Sequence, residues 1–178
     1  MYGYSTSDPT YGSLGKHVNA YHKDSVGWFP AAQRFEAPPN SITSIELDHT
    51  ALAGGTNYRM ARIPIDGNRW YTVEARVRSG DYEANLPGDA VIIHEVDTTR
   101  SEPSWAVDND VPPANYSDNP GTMWTTGETF FDAENGILIT IDYATVTGFG
   151  ITITVGEAEL LFIDGFESGN TSGWTEVP

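Results

Sequence analysis

Apolar and polar residues alternate along most of the chain with a period of two, the pattern of strands that bury one face. The alternation is strongest at residues 69–78, where β-branched and aromatic residues recur. Residues 90–97 open with a continuous apolar run, which predicts a strand buried on both faces. The predicted strands are residues 41–47, 57–64, 69–78, 90–97, 129–131, 136–142, 149–155 and 159–163.

A helical period occurs only near the N-terminus. Apolar residues recur there at spacings of three and four, and Gly27 is placed to end the helix. The sequence therefore predicts one short helix over residues 14–27, preceded by a loop over residues 1–15. We expect the helix to pack on the rest of the chain through Val18, Tyr21, Val26 and Trp28.

Many short strands joined by Gly- and Pro-rich turns are typical of a sandwich or a barrel. The sequence thus predicts a mainly β fold, an antiparallel β-sandwich with one short N-terminal helix. The 178 residues suit one domain with small appendages. We predict a loop-plus-helix segment at 1–29, the β-sandwich at 30–163 and a polar C-terminal tail at 164–178. A long polar insertion spans residues 98–121.

The charge of the chain narrows the range of partners. A formal net charge of −16 repels phosphate backbones and anionic bilayers, so we expect neither nucleic acid nor membrane as a partner. No apolar run approaches the roughly 18 residues of a membrane span. Residues 1–15 are polar and Gly-rich, so we expect no signal peptide there. With no cysteine, disulfides and thiolate chemistry are excluded.

Carboxylates in the long insertion are candidate calcium ligands. Asp108, Asp110 and Asp118 offer oxygen atoms at close spacing, which suits a hard cation. The glycine and the terminal glutamate of an EF-hand loop are absent, and solvated turns explain the same residues. Calcium is therefore the one candidate cofactor, and none is certain.

Four polar residues near the predicted strand ends form a second candidate group. Glu74, Asp81, His94 and Asp97 could form a metal or acid–base site, a structural polar network, or four unrelated surface groups. His94 lies on an apolar strand, a position more typical of a hydrogen-bonded core histidine than of a ligand. All three interpretations stay open from sequence alone.

Tryptophans supply the material for a carbohydrate site, because sugar rings stack on flat aromatic faces. Trp105 and Trp124 flank the long insertion, where exposed rings are plausible, and they are the candidate ligand-binding residues. Trp28 and Trp70 are expected in the core instead.

Three blocks in order resemble one family, the gametolysin-type and immune-inhibitor-A-type secreted metallopeptidases. Residues 15–28, Gly-Lys-His-Val-Asn-Ala-Tyr-His-Lys-Asp-Ser-Val-Gly-Trp, resemble the family's G-H-F-N-A-x-x-K-x-x-L-G-W segment, the last helix of its catalytic domain. Residues 71–97 resemble its Y-x-x-E-x-R … L-P-G-x-G-V-L-I-H-x-V-D block, and residues 127–141 its G-x-T-F-x-D-x-x-N-G-I-x-I-x-V block. The ending at residues 163–174 is similar to a D-G-F-E-S-G-D-T-S-x-W tail of secreted bacterial proteins.

The chain departs from that family at the catalytic zinc. Family members hold zinc with His-Glu-x-x-His and a third histidine, but the four histidines here include no pair at the i, i+4 spacing. The methionine turn that precedes the family's last helix is also missing: residues 8–12 read Asp-Pro-Thr-Tyr-Gly. We therefore expect no catalytic zinc and no peptide cleavage by this chain.

The resemblance implies that residues 1–29 are the C-terminal remnant of a catalytic domain. The expected function is a non-catalytic accessory domain of a secreted metallopeptidase-like protein, which supports the catalytic domain or holds substrate. Its expected partners are the missing catalytic domain or an extracellular polymer, with homo-oligomers possible through the N-terminal segment. The alternatives are an extracellular carbohydrate- or protein-binding module, or a hydrolase acting through carboxylates and His94.

Overall fold

The computed structural model describes residues 6–8, 12–14, 17–108 and 120–156. The strands are β1 (Thr6–Asp8), β2 (Gly12–Leu14), β3 (Arg34–Glu36), β4 (Ser41–Asp48), β5 (Met60–Pro64), β6 (Arg69–Arg76), β7 (Ala90–Asp97), β8 (Ser104–Ala106), β9 (Thr129–Asp132), β10 (Ile137–Ala144) and β11 (Gly148–Val155). The helices are α1 (Ala20–Ser25) and α2 (Gly80–Glu83), with single 3-10 turns at Ala31–Gln33 and Pro120–Thr122.

Two sheets form a sandwich. One sheet has the strand order β3-β5-β6-β7-β8, and the other has the order β4-β11-β10-β9. Neighbouring strands are antiparallel throughout, except that β3 runs parallel to β5. A separate two-stranded ribbon pairs β1 with β2. The prediction of a mainly β, sandwich-like fold with a short N-terminal helix is confirmed.

The hydrophobic core lies between the two sheets. It consists mainly of inward-facing residues of β4, β5, β6, β7, β10 and β11, as the period-two pattern requires. The four-stranded sheet contributes mostly isoleucines, among them Ile139, Ile141, Ile151 and Ile153, all fully buried. The five-stranded sheet contributes Ala61, Ile63, Val73, Val91 and Ile93.

The five-stranded sheet is buried on its second face as well. Six consecutive residues from Tyr71 to Arg76 are buried, and so are five from Ala90 to His94. The prediction that residues 90–97 begin with a strand buried on both faces is therefore confirmed. Helix α1 packs against β6, and it buries Ala20 completely.

Helix α1 is shorter than the predicted 14–27 because it is capped at both ends. The Asn19 side chain accepts a hydrogen bond from the His22 amide at 3.1 Å. At the other end Gly27 has a φ of 73°, and its amide bonds to the Asp24 carbonyl while the Trp28 amide bonds to the Lys23 carbonyl. These two bonds form a Schellman motif, so the prediction that Gly27 ends the helix is confirmed.

The predicted packing face of the helix is wrong for three of its four residues. Val18, Val26 and Trp28 are exposed, and Lys23 is the long side chain that α1 buries. Tyr21 is half-buried, with its ring centre 6.1 Å from that of Trp70. The physical reason lies in the sheet below, whose outer face carries charged residues beneath the helix. Buried ions require polar partners, so the helix turns its polar side inward there.

Very short elements account for the other differences, and the one-turn helix α2, which the sequence did not predict, is among them. Residues 1–15 were predicted as loop, but they contain the ribbon of β1 and β2. Strand β8 lies within the predicted insertion at 98–121, and β3 also lacked a predicted strand. Three residues are too few for an alternation to be recognised. The predicted strand at 159–163 and the tail at 164–178 lie outside the described residues.

Candidate functional site

The most distinctive chemical feature is a cluster of ions on the outer face of β6. Alternate residues of a strand share a face, so Thr72, Glu74 and Arg76 point the same way. The Arg76 guanidinium donates to both carboxylate oxygens of Glu83, from Nε at 3.1 Å and from Nη2 at 2.9 Å. Arg76 and Glu83 are both buried, so removing either partner would leave the other charge unpaired and away from water.

Glu74 completes the cluster from the same strand. Its carboxylate oxygens lie 3.5 Å from Arg76 Nη1, and the residue is 2% exposed. Burial raises the pKa of the Glu74 carboxyl, against the opposing influence of the Arg76 and Lys23 cations. One guanidinium thus faces two buried carboxyl groups.

The cluster anchors the N-terminal segment to the sheet. Arg76 Nη2 donates to the His17 carbonyl at 2.8 Å, and the His17 amide donates to Glu83 at 2.9 Å. Lys23 reaches the Thr50 carbonyl at 2.9 Å. Residues 17–23 are therefore fixed through their backbone and through one lysine rather than through an apolar stripe.

Lys23 has an unusual proton affinity because of this location. Burial lowers the pKa of its ammonium group to about 8, while Glu74 acts in the opposite direction. An amine of this kind changes charge just above neutral pH. Sequence reasoning missed Lys23, Arg76 and Glu83. The available signal was the charged pair Glu74 and Arg76 at alternate positions of an otherwise apolar strand.

His94 shares the outer face with the cluster. It is the cross-strand partner of Thr72, and it is 3% exposed. Its Nδ1 atom has no hydrogen-bond partner in the described part of the chain. Burial lowers the pKa of the imidazole to about 3, so His94 is neutral over the whole physiological range.

The predicted group of four polar residues is only partly assembled. Glu74 and His94 occupy neighbouring positions on one buried face. Asp81 lies exposed on α2. Asp97 lies at the end of β7, where hydrogen bonds from Thr99 lower the pKa of its carboxyl. The four residues therefore do not converge on one acid–base site, and the structural-network interpretation fits Glu74 best.

Thr72 provides a first test of this buried face. Its hydroxyl is buried and has no hydrogen-bond partner among the residues that the structure describes. Thr72→Val replaces it by a methyl group of similar shape, so we expect stability to rise by about 1 kcal/mol. The urea midpoint measures this, with Thr129→Val on an exposed strand position as the control. A lower midpoint for Thr72→Val would show that the hydroxyl is satisfied.

A small cleft borders the cluster. It has a volume of about 240 Å³ and is lined by His17, His49 and Tyr82 together with residues 51–53 and 79–81. Burial lowers the pKa of His17 and of His49, so both imidazoles are biased toward the neutral form. Across the described ranges, no three His, Asp or Glu side chains come together in a way that could hold a metal ion.

The two candidate tryptophans have different environments. Trp124 is buried, with its ring centre 5.8 Å from that of Phe130, so its face is not open to a ligand. Trp105 is half-exposed, but the Arg100 guanidinium covers one face of its ring at 4.4 Å. The expectation that Trp28 is a core residue is wrong, because this ring is 65% exposed.

Of the candidate calcium ligands, only Asp108 lies in the described part of the chain. It lines an open depression of about 450 Å³ beside Trp124, Glu128 and Phe130. Asp110 and Asp118 lie outside the described residues, so the calcium site stays a prediction from the sequence.

Comparisons with known proteins add no assignment. No family model matches the sequence, and neither the curated proteins nor the solved structures give a significant match. The resemblance to secreted metallopeptidases therefore stays a hypothesis from sequence. Among the described residues, no helix is long and apolar enough to cross a membrane.

Proposed function

We propose that this chain is a non-catalytic accessory domain of an extracellular, metallopeptidase-like protein, and that it supports a catalytic domain through its N-terminal segment. One observation carries the proposal. Residues 17–28 of the N-terminal segment are held firmly by Arg76 and Lys23, yet the large apolar side chains there face solvent. Val18, Val26 and Trp28 are 48%, 61% and 65% exposed.

This arrangement favours a partner over a free surface. An isolated exposed apolar residue is ordinary, but we take three of them within residues 18–28 of one anchored segment as support for an interaction site. The segment is also the part that resembles the last helix of the metallopeptidase catalytic domain. The best candidate for its partner is therefore the remainder of such a domain. The extracellular location rests on the same resemblance.

Complementation tests this proposal. A gametolysin-type catalytic domain that ends before its last helix would be added to the purified chain, and binding would be measured by calorimetry. We expect binding that the double variant Val26→Ser, Trp28→Ser weakens at least about tenfold, because both apolar contacts are lost. Trp105→Ser, a half-exposed tryptophan elsewhere, is the matched control and should bind like the wild type.

Two results would contradict the proposal. The first is equal affinity of the double variant and the wild type, or no binding at all. The second is release of amines from denatured protein by the chain alone, which would make it a peptidase. Without a partner, the same segment is expected to drive weak self-association. Sedimentation velocity of the wild type and of the double variant measures this.

A further inference from the structure

We infer that the outer face of the four-stranded sheet is a binding site for a neutral polysaccharide chain, with Tyr143 as its stacking platform. The inference is independent of the accessory-domain proposal and concerns the opposite sheet. It rests on the conformation of one tyrosine and on the hydrogen-bonding groups that surround it.

A β-bulge turns Tyr143 toward solvent. In β10 the residues Ile137, Ile139 and Ile141 point into the core, so strict alternation would also direct residue 143 inward. The register shifts between Ile141 and Tyr143, and Asp142 and Tyr143 are both exposed. Bulges that redirect a side chain occur often beside functional sites.

The Tyr143 ring lies flat on the sheet over Gly150, its cross-strand partner. A Cβ atom added to Gly150 would lie 2.3 Å from Cζ, 2.5 Å from Cε1 and 2.6 Å from Cε2 of the ring. Three nearly equal distances place that point above the ring face. A point beyond the ring edge would be much nearer to Cζ than to the two Cε atoms. Only glycine leaves room for this arrangement.

The ring is thus fixed in place before any ligand binds. Its hydroxyl donates to Glu46 at 3.2 Å, and one face rests on the backbone at Gly150. The residue is nevertheless 49% exposed, so the other face is open. A rigid aromatic face costs little conformational entropy on binding, which suits the flat C–H face of a sugar ring.

Hydrogen-bond acceptors surround the platform. Thr152 donates to Asp142 at 2.8 Å, so the 2.8 Å contact between Ser44 and Thr152 must have Ser44 as its donor. Both hydroxyl protons are therefore engaged within the sheet, which leaves lone pairs as the hydrogen-bonding capacity of these two oxygens. Together with the carboxylates of Glu46 and Asp142, this face offers acceptors, and the hydroxyl groups of a sugar are the matching donors.

The charge of this face selects among polymers. Glu46 and Asp142 are both exposed beside the ring, and the chain as a whole carries a net charge of −16. Uronic acids, sulfated glycans and nucleic acids would be repelled. A neutral polysaccharide provides both the stacking surface and the hydroxyl donors without that repulsion.

A binding assay tests the assignment. The full chain would be mixed with insoluble cellulose, chitin, mannan and xylan, with alginate and chitosan as the charged comparisons, and its loss from solution measured. Soluble oligosaccharides of the bound polymer would then be titrated by calorimetry. We expect binding to at least one neutral polymer, and a loss of roughly tenfold or more in Tyr143→Leu, which covers Gly150 without an aromatic face.

Matched variants make the result specific. Tyr82→Leu removes a ring of similar exposure on α2, outside this sheet, and should bind like the wild type. Tyr143→Phe keeps the ring and should retain most of the affinity. Melting temperatures of all variants show whether each one is folded. If Tyr143→Leu unfolds, Thr152→Val and Glu46→Gln take its place as test variants. Each of these two should weaken binding.

Three outcomes would overturn the assignment. One is the absence of binding to any neutral polysaccharide. Another is equal weakening by Tyr82→Leu and Tyr143→Leu. The third is binding confined to chitosan, which would identify a site for cations.

Discussion

Arg76→Ala is expected to cost about 3–5 kcal/mol of folding free energy, the usual range when one partner of a buried ion pair is removed. Arg76 is the cation closest to two buried carboxyl groups, those of Glu74 and Glu83. Without it they face each other in a site from which water is excluded. The backbone carbonyl of His17 would also lose its donor. Such a loss is a large part of the total stability of a small domain.

Chemical denaturation at neutral pH measures this effect. Arg78→Ala is the matched control, because Arg78 is exposed and pairs with Asp89 at the surface. We expect the control to unfold at nearly the wild-type urea concentration. The double variant Glu83→Gln, Arg76→Met removes charge from both partners and should recover part of the loss. A single Arg76→Ala variant as stable as the control would show that the cluster is not tightly coupled.

A second large effect on folding stability is expected at acidic pH. There the His94 imidazole is protonated in the unfolded chain but stays neutral in the native chain. Burial lowers its pKa from 6.5 to about 3 in the folded chain. Between those values the unfolded chain binds a proton that the native chain does not, so stability falls as pH falls from 6.5 toward 3. A difference of 3.5 pH units (6.5 minus 3) corresponds to a loss of up to about 5 kcal/mol at the acidic end.

His94→Leu isolates this contribution. The leucine cannot titrate, so the difference in stability between wild type and variant should change with pH below 6.5 and be constant above it. Urea unfolding at a series of pH values between 4 and 8 provides the comparison. Thr72→Val is the control, because it alters the neighbouring position without removing a titrating group. A pH-independent difference for His94→Leu would mean that the imidazole has the same pKa in the native and the unfolded chain.

The strands of the sandwich could be predicted because burial imposes a period on the sequence. Strands β6, β7, β10 and β11 were all recognised from apolar positions at every second residue or from continuous apolar runs. The helix was located for a similar reason, with Gly27 as its end. Its orientation was not predictable, because the apolar stripe of a helix is read as its buried side. Here the surface below is ionic, and Lys23 is buried instead.

The candidate sites could not be predicted in the same way, because they depend on contacts between residues that are far apart along the chain. Glu83 lies on α2, and its pairing with Arg76 requires the loop after β6 to fold back over the sheet. Similarly, the exposure of Tyr143 depends on a bulge, and the bulge has no signature in a period-two pattern. The sequence favours Trp105 and Trp124 as ligand-binding residues because they lie beside a polar insertion, but position along the chain does not report burial. The local sequence pattern predicts which helices and strands form. The side-chain contacts that build a site depend on how those helices and strands pack against one another.

The strand order of the smaller sheet has a consequence for the time course of folding. Among the described strands, β4 pairs within its sheet with β11 alone, and the paired positions lie from 100 residues apart, for Asp48 and Gly148, to 114 apart, for Ser41 and Val155. Pairings this remote in sequence form slowly, since a long loop must close first. During synthesis, β4 leaves the ribosome long before its neighbour exists. Until β11 emerges, the isoleucine-rich edge of β4 stays open to other chains, and this nascent stage is when the protein is most prone to aggregate.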